Sequence, residues 1–381
     1  MKSHQQLFSI ALSHIPAYRH AAAHSHHLRP DVVLQAQHAC LDDAFRLADQ
    51  KWQKFFAEIY PSAQARVARV LGTARPERIV FGASTHEFLT RLLSCFGAPV
   101  RILTSDSEFH SAARQFARLE EARLAHVTRV PVEPFESFPE RFAEAAQARH
   151  DVVFVSHVFF NSGYVLADLA ALVAAVRDPS TFIVIDGYHA FLAVPVDLAA
   201  LQDRVFYLGG GYKYAMSGEG ACFMYAPEGY GPRPVDTGWF AGFAQLEEGA
   251  LGPLPYPTDA SRFAGATLAP DGIYRLDAVL GLLADAGIGA ASVHERVELL
   301  QELFLQRLST PLFARERLLL PGRRGNFLCW RTPHAAALQG KLLELGVLCD
   351  HRQDRLRLGF GLYHDPGDIE KMAELVSRVR L

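Results

Sequence analysis

Lysine is nearly missing from this chain. Only Lys2, Lys51, Lys54, Lys213, Lys341 and Lys371 occur in 381 residues, and arginine carries the rest of the positive charge. Cysteine is also sparse: Cys40, Cys95, Cys222, Cys329 and Cys349 are odd in number, scattered and mostly flanked by apolar residues. That pattern excludes a disulfide frame and a cysteine zinc site, and reads as reduced core thiols. No apolar run reaches the length of a membrane span, and residues 1–10 lack a charged-then-apolar leader. The formal net charge is only -3, so no excess of one sign draws the chain to nucleic acid or to an anionic membrane. Repeats and low-complexity tracts are absent too. What is left is a cytoplasmic globular protein with neither a nucleic-acid nor a membrane partner.

What is there has the rhythm of an α/β protein. Residues 31–59 form one long amphipathic stretch that predicts a helix ended by Pro61. From residue 78 short apolar runs alternate with helical stretches. Strands are predicted at 79–81, 101–103, 152–155, 182–185, 205–208 and 221–225, with helices at 87–95, 111–123, 140–148 and 167–177 between them. Continuous β-branched runs bounded by helices indicate a mostly parallel sheet covered on both faces. Residues 229–272 are rich in Gly and Pro and predict a long functional or interfacial loop, after which a helix resumes at 277–286. From 292 a helix, a strand (327–330), a helix (335–345), a strand pair and a last helix (368–380) predict a small α+β domain. The expected division is an N-terminal loop and helix (1–60), a large domain (61–289) and a small C-terminal domain (290–381).

Lys213 stands in Gly209-Gly210-Gly211-Tyr212-Lys213-Tyr214, isolated from other lysines by more than a hundred residues on either side. An amine among small residues and phenols suits a Schiff-base enzyme, and a guanidinium cannot replace it because it stays protonated. A stray surface lysine is the plain alternative. Asp186 ends the apolar run 182–185 and His189 follows closely. At the carboxyl end of a parallel strand a carboxylate can hold a protonated ring nitrogen, as pyridoxal phosphate requires. A strand-end Asp that caps a turn would look the same. Phe81-Gly82-Ala83-Ser84-Thr85 carries a strand through glycine into hydroxyls at a helix start, which is either a phosphate cradle or an ordinary cap.

Weaker signals surround these. Ser156-His157 and Ser162-Gly163 follow the strand at 152–155, His110 follows the strand at 101–103, and Tyr212 can add a phenol to a phosphate. His157 alone reads equally well as a satisfied core histidine. Arg357, in the alternating Arg355-Leu356-Arg357-Leu358, can grip a carboxylate with its fork or can simply be a solvated edge residue. His20, His24, His26 and His27 crowd together without supporting carboxylates or a metal-ligand spacing, so an active-site loop or exposed segment is expected there and no metal.

Together these segments resemble a class V aminotransferase-type pyridoxal phosphate enzyme of fold type I, and within that group the kynureninases. The resemblance rests on Asp186-Gly187-Tyr188-His189, Tyr212-Lys213-Tyr214 with Gly218-Glu219-Gly220, Gly238-Trp239-Phe240, and the stretch 352–360. It implies a large domain with a mostly parallel mixed sheet and a small α+β C-terminal domain. It implies pyridoxal 5'-phosphate joined to Lys213, with Asp186 on the pyridine nitrogen and His189 close to the ring. Ser84, Thr85, Tyr212, Ser162, Trp239 and Thr267 are implied as further cofactor contacts, Thr267 from across a homodimer with shared active sites. His110 inherits a stacking role from Glu108-Phe109-His110-Ser111, and Arg357 the α-carboxylate of an amino acid substrate. Two departures stand out: Phe159-Phe160 replaces a polar pair, although Asn161 is near, and the segment that supplies a substrate-binding Asn in kynureninases is not recognisable around 263–270.

The reaction is less constrained than the cofactor. Desulfuration needs a mobile exposed thiol, whereas Cys329 and Cys349 sit in apolar strand contexts. Transamination is expected first. A kynureninase-type hydrolysis of kynurenine or 3-hydroxykynurenine is the alternative, and a catalytically silent cofactor-binding regulator is a third reading.

Overall fold

A computed structural model of the chain describes residues 2–245 and 253–380. The expected loop at 229–272 therefore includes a stretch, 246–252, that lies outside the described residues.

Seven strands form the main sheet: β1 (Ile79–Gly82), β2 (Val100–Ser105), β3 (Ala125–Val130), β4 (Val152–Ser156), β5 (Phe182–Asp186), β6 (Val205–Gly210) and β7 (Cys222–Tyr225). Their order is β1-β7-β6-β5-β4-β2-β3, and only β7 runs against its neighbours. The core explains why the central strands are apolar at every position. Phe182 and Val184 pack into one buried cluster while Ile183 and Ile185 pack into another, so both faces of β5 are covered. Each parallel strand reaches its carboxyl end at the same edge, which brings Ser105, Ser156, Asp186 and Gly210 to one rim.

The predicted strands and helices recur with small shifts at their ends, and the exceptions have physical reasons. Strand β3 was not expected: it is the edge strand, and its residues Ala-His-Val-Thr-Arg-Val are largely solvated, so no continuous apolar run marks it. The single helix expected over 31–59 is broken. Val32–Leu47 stops where Ala48 takes φ 48°, and short helical turns follow. Pro61 does not end a helix: a π-helical turn, Phe55–Ile59, runs directly into Tyr60–Val70, and Pro61 is the second residue of the latter.

A second, antiparallel sheet comprises β8 (Phe327–Arg331), β10 (Arg355–Gly359) and β9 (Asp350–Arg352), with β10 central. The N-terminal segment adds to it. Ala21 donates its N–H to the Leu348 carbonyl at 2.8 Å and accepts from Gly359 at 2.8 Å, so residues 20–23 run beside the end of β10. Among the described residues no single helix is long and apolar enough to cross a membrane.

Candidate active site

Lys213 is carried just past the end of β6 by three glycines that have no room for side chains. A β-carbon on Gly209 would lie 2.4 Å from the Phe223 ring, and one on Gly210 the same distance from Tyr188. A tight turn follows, in which Met216 donates to the Lys213 carbonyl at 2.9 Å and itself holds φ 55°. The lysine is buried, and its Nζ lies 4.9, 5.4 and 5.5 Å from the ring centres of Tyr212, Tyr188 and Phe109. No carboxylate comes within ion-pair distance of it among the described residues. Burial, with the Arg357 charge adding to it, lowers the pKa of the amine to about 7 against the pull of Asp186 and Asp350. It is a buried amine that is neutral for much of the time near pH 7.

Asp186 closes β5 beside Ser156 of β4. Its Oδ1 accepts from the Tyr188 N–H at 2.9 Å, and Oδ2 takes no donor from the described residues. Burial raises its pKa, while the Tyr188 bond and Lys213 oppose the rise. Gly187 is obligatory at the bend, since a β-carbon would fall 2.1 Å from the Tyr207 ring. His189 is buried in the same cleft, and desolvation, then Lys213 and Arg357, hold its pKa well below the ordinary value, so its ring is neutral.

A helix start lines the same cleft. Ser84 caps the Thr85–Leu93 helix by accepting from the Glu87 N–H at 3.3 Å, and Glu87 reaches back to the Ala83 N–H at 2.7 Å. The first-turn amides at Thr85 and His86 have no intrahelical acceptor, so the terminus remains a site for an anion. One cleft, partly open to solvent, is lined in common by Ser84, Thr85, Asp186, His189, Tyr212 and Lys213. Six of the expected site residues therefore meet in one place.

The others do not. His110 is exposed, with its ring 5.2 Å from Phe160, whereas Phe109 and Ser111 form the cleft wall. The position expected of His110 in the cleft is taken by Phe109: His110 opens the His110–Glu121 helix and is exposed, while Phe109, extended at ψ 149°, faces the amine. Ser162 is buried away from the cleft and accepts from the Tyr164 N–H at 3.2 Å. Trp239 donates to Thr267 at 3.0 Å on the surface, outside the cleft. His157 is a satisfied core histidine, bonded to the Tyr207 hydroxyl at 3.1 Å. Arg357 is buried and its Nε donates to Asp350 at 2.9 Å, so it is not a solvated edge residue.

Several participants escaped the sequence reading. Glu108 is fully buried under the rim, accepting from Ser105 at 2.6 Å and from Ser156 at 2.5 Å, and burial raises its pKa to about 7. Tyr188 and Phe160 line the cleft, and Tyr188 could have been found from its place between Asp186 and His189. The histidine cluster divides its tasks. His26 stacks on Tyr212 with centroids 5.2 Å apart, His27 accepts from the Leu362 N–H at 3.2 Å, and His24 bonds Asp350 at 3.0 Å. Among the described residues no three His, Cys, Asp or Glu side chains are grouped to hold a metal.

The sequence profile of the family described as Aminotransferase class-V matches residues 20–317. A kynureninase of Deinococcus radiodurans is 30% identical over 328 residues, which cover 83% of this chain and 77% of that protein. A kynureninase of Pseudomonas fluorescens is 28% identical over 232 residues, 58% of this chain and 54% of the relative. Among solved structures, the cystine C–S lyase C-DES in complex with its product cysteine persulfide superimposes with a TM-score of 0.81 at 19% identity, over 97% of this chain and 99% of that one. A variant of the same lyase with glycine covalently linked to its PLP cofactor gives 0.82 at 18%, over 99% and 100%. A cysteine desulfurase from Thermococcus onnurineus NA1 gives 0.78 at 18%, over 99% and 98%. At these identities the likeness to the solved structures is one of fold, the fold type I arrangement expected from the sequence.

Proposed function

The chain belongs to the aminotransferase class-V family, and from that premise we propose that it is a pyridoxal phosphate enzyme that hydrolyses the Cβ–Cγ bond of an amino acid of the kynurenine class. The donor set fits the cofactor. A buried amine without an ion-pair partner, a buried carboxylate with one oxygen unclaimed and a helix N-terminus share one cleft. Lys213 would hold the aldehyde carbon, Asp186 the ring nitrogen, and Ser84, Thr85 and Tyr212 the phosphate. When bound, the cofactor supplies an electron sink for the carbanion left by loss of a substrate proton.

The chain's own groups do the rest. The Lys213 amine, held near pKa 7 by burial, would take the Cα proton. Burial pushes the Tyr212 phenol up to about 12, so it remains a proton donor across the neutral range. His189, neutral, offers a planar face without adding positive charge. Phe109, Phe160 and Tyr188 make an aromatic wall that suits an aryl side chain and excludes bulk water. In the overall reaction the hydroxyl of water joins the ketone carbon to give an aryl carboxylate. A proton joins Cβ to give alanine.

The aromatic wall around Lys213 is the observation that carries this reading, and the two kynureninase relatives support it. Transamination, expected first from the sequence, is the second reading, because Phe160 takes a place in the wall where relatives carry a polar side chain. Purified cofactor-loaded protein incubated with kynurenine or 3-hydroxykynurenine should release the fluorescent anthranilate and alanine. No anthranilate, with amino exchange that depends on an added 2-oxo acid, would replace hydrolysis by transamination. No change with either leaves a cofactor-binding protein without catalysis.

A further inference from the structure

Arg357 is 1% exposed, so the orientation of its charge is set entirely by neighbours. Nε donates to Asp350 Oδ1 at 2.9 Å, Nη2 donates to Oδ2 of the same carboxylate, and Nη1 donates to the Phe160 carbonyl. A guanidinium has five N–H groups in one plane. Three are spoken for. Two remain, one on each terminal nitrogen. That pair matches the two oxygens of a second carboxylate. Phe160, whose carbonyl fixes the far side of the fork, is itself part of the cleft wall.

Asp350 is fixed in turn. Its Oδ1 also accepts from Nε2 of His24 at 3.0 Å, and Arg352 lies 3.5 Å from Oδ2. His24 is completely buried, stacked on Phe327 with centroids 4.5 Å apart. Its Nδ1 has no hydrogen-bond partner and lies against Gly359. Desolvation lowers the pKa of His24 to about 4, and with Nδ1 bare the neutral ring carries its proton on Nε2, aimed at Asp350. The charge sum of the group also suits an anion. Two guanidiniums, Arg352 and Arg357, face one carboxylate, leaving one positive charge beside the cleft.

We propose that His24 and Asp350 are positioning residues for the substrate: together they hold Arg357 so that its end-on N–H pair receives the α-carboxylate. The assignment rests on the reading of the chain as an enzyme acting on an α-amino acid. It adds that selectivity for the carboxylate depends on a histidine from the N-terminal segment, which belongs to no strand of the main sheet. Asp350 aligns the guanidinium and does not merely neutralise it. His24 keeps the Asp350 carboxylate from rotating out of the side-on pairing.

The test compares dissociation constants of kynurenine and kynuramine, its counterpart without the carboxylate, read from the visible absorption of cofactor-loaded protein. L-Alanine and ethylamine form a second pair that does not depend on an aryl group. The wild-type protein should bind each acid about 50-fold more tightly than its amine, as a charge-assisted bidentate contact implies. In Asp350→Asn and His24→Phe the preference should fall below about fivefold while the amine constants stay put. His24→Gln, whose side-chain amide can donate where Nε2 does, should restore most of it. An unchanged preference in both loss variants overturns the proposal. So does equal weakening of acid and amine, which would mean a structural role only, or a wild-type protein indifferent to the carboxylate. If Asp350→Asn does not fold, the His24→Phe and His24→Gln pair decides alone. Product analysis judges the cleavage reaction separately: an alanine preference lost in the variants sustains the positioning role even without anthranilate.

Discussion

Gly359 and His24 compete for the same space: a β-carbon on the glycine would come within 2.4 Å of Nδ1 on the histidine. Glycine is required there by the close approach, not by backbone conformation. Gly359→Ala should therefore destabilise the fold by about 1–3 kcal/mol, as overpacking of a core does. It should also weaken amino acid binding by displacing His24. Gly367→Ala is the contrast, because a β-carbon there meets nothing within 4 Å and the residue lies in the first turn of the Pro366–Ser377 helix. It should leave binding unchanged and stabilise by up to about 1 kcal/mol in thermal or urea melts.

Cofactor loading should report the depressed basicity of Lys213. Only the neutral amine attacks an aldehyde, and burial places its pKa near 7. The rate at which apoprotein turns yellow with pyridoxal phosphate should rise as pH passes through about 7 and then level off. A rate still climbing toward the usual lysine range would show an exposed amine. Lys213→Ala should remain colourless after removal of free cofactor.

Asp186→Asn keeps the shape of the side chain and removes the charge that would hold a protonated ring nitrogen. Charge-assisted hydrogen bonds contribute about 1.5–3 kcal/mol, so kcat should drop roughly 10- to 150-fold. The protein should still take up the cofactor, because Lys213 and the helix start are untouched. Retained turnover would mean that Asp186 serves only the Tyr188 turn.

Glu108 should make stability fall as pH rises. Burial raises its folded pKa to about 7 from the ordinary 4.5, so the folded state holds a proton that the unfolded chain gives up. The contribution is fully present below pH 4.5 and is lost as pH climbs through 7. Its size is on the order of 3 kcal/mol. Glu108→Gln should flatten the melting temperature between pH 5 and 8, and a variant that keeps the wild-type slope would assign that slope to other groups.

The exposed side of the Val32–Leu47 helix bears Leu34, Leu41 and Phe45, the last 87% exposed, in one stripe at helical spacing. A second copy of the chain is the expected cover, in keeping with the homodimer inferred from family resemblance. Phe45→Glu should shift sedimentation from dimer to monomer. A wild-type protein that sediments as a monomer would remove this expectation, together with any role for Thr267 across an interface.

Much of this architecture was legible because the central strands are buried on both faces and so read as unbroken apolar runs. Lys213, Asp186 and His189 could be found for a related reason, since each follows the carboxyl end of such a run. Edge strand β3 was missed because solvent on its polar positions erased that signature. Phe109 was passed over for its neighbour because which of two adjacent rings turns inward depends on a helix cap, not on residue type. The links from His24 to Asp350 and from Glu108 to Ser156 join residues far apart in the chain, and no local periodicity encodes them.

The pairing of residues 20–23 with the end of β10 also dictates a timetable. During synthesis His24 leaves the ribosome more than three hundred residues ahead of Asp350 and Gly359. Contacts between such distant segments form late and slowly. A nascent chain long enough to expose Lys213 still lacks the floor beneath His24, so the ordering of that histidine awaits the segment through Gly359.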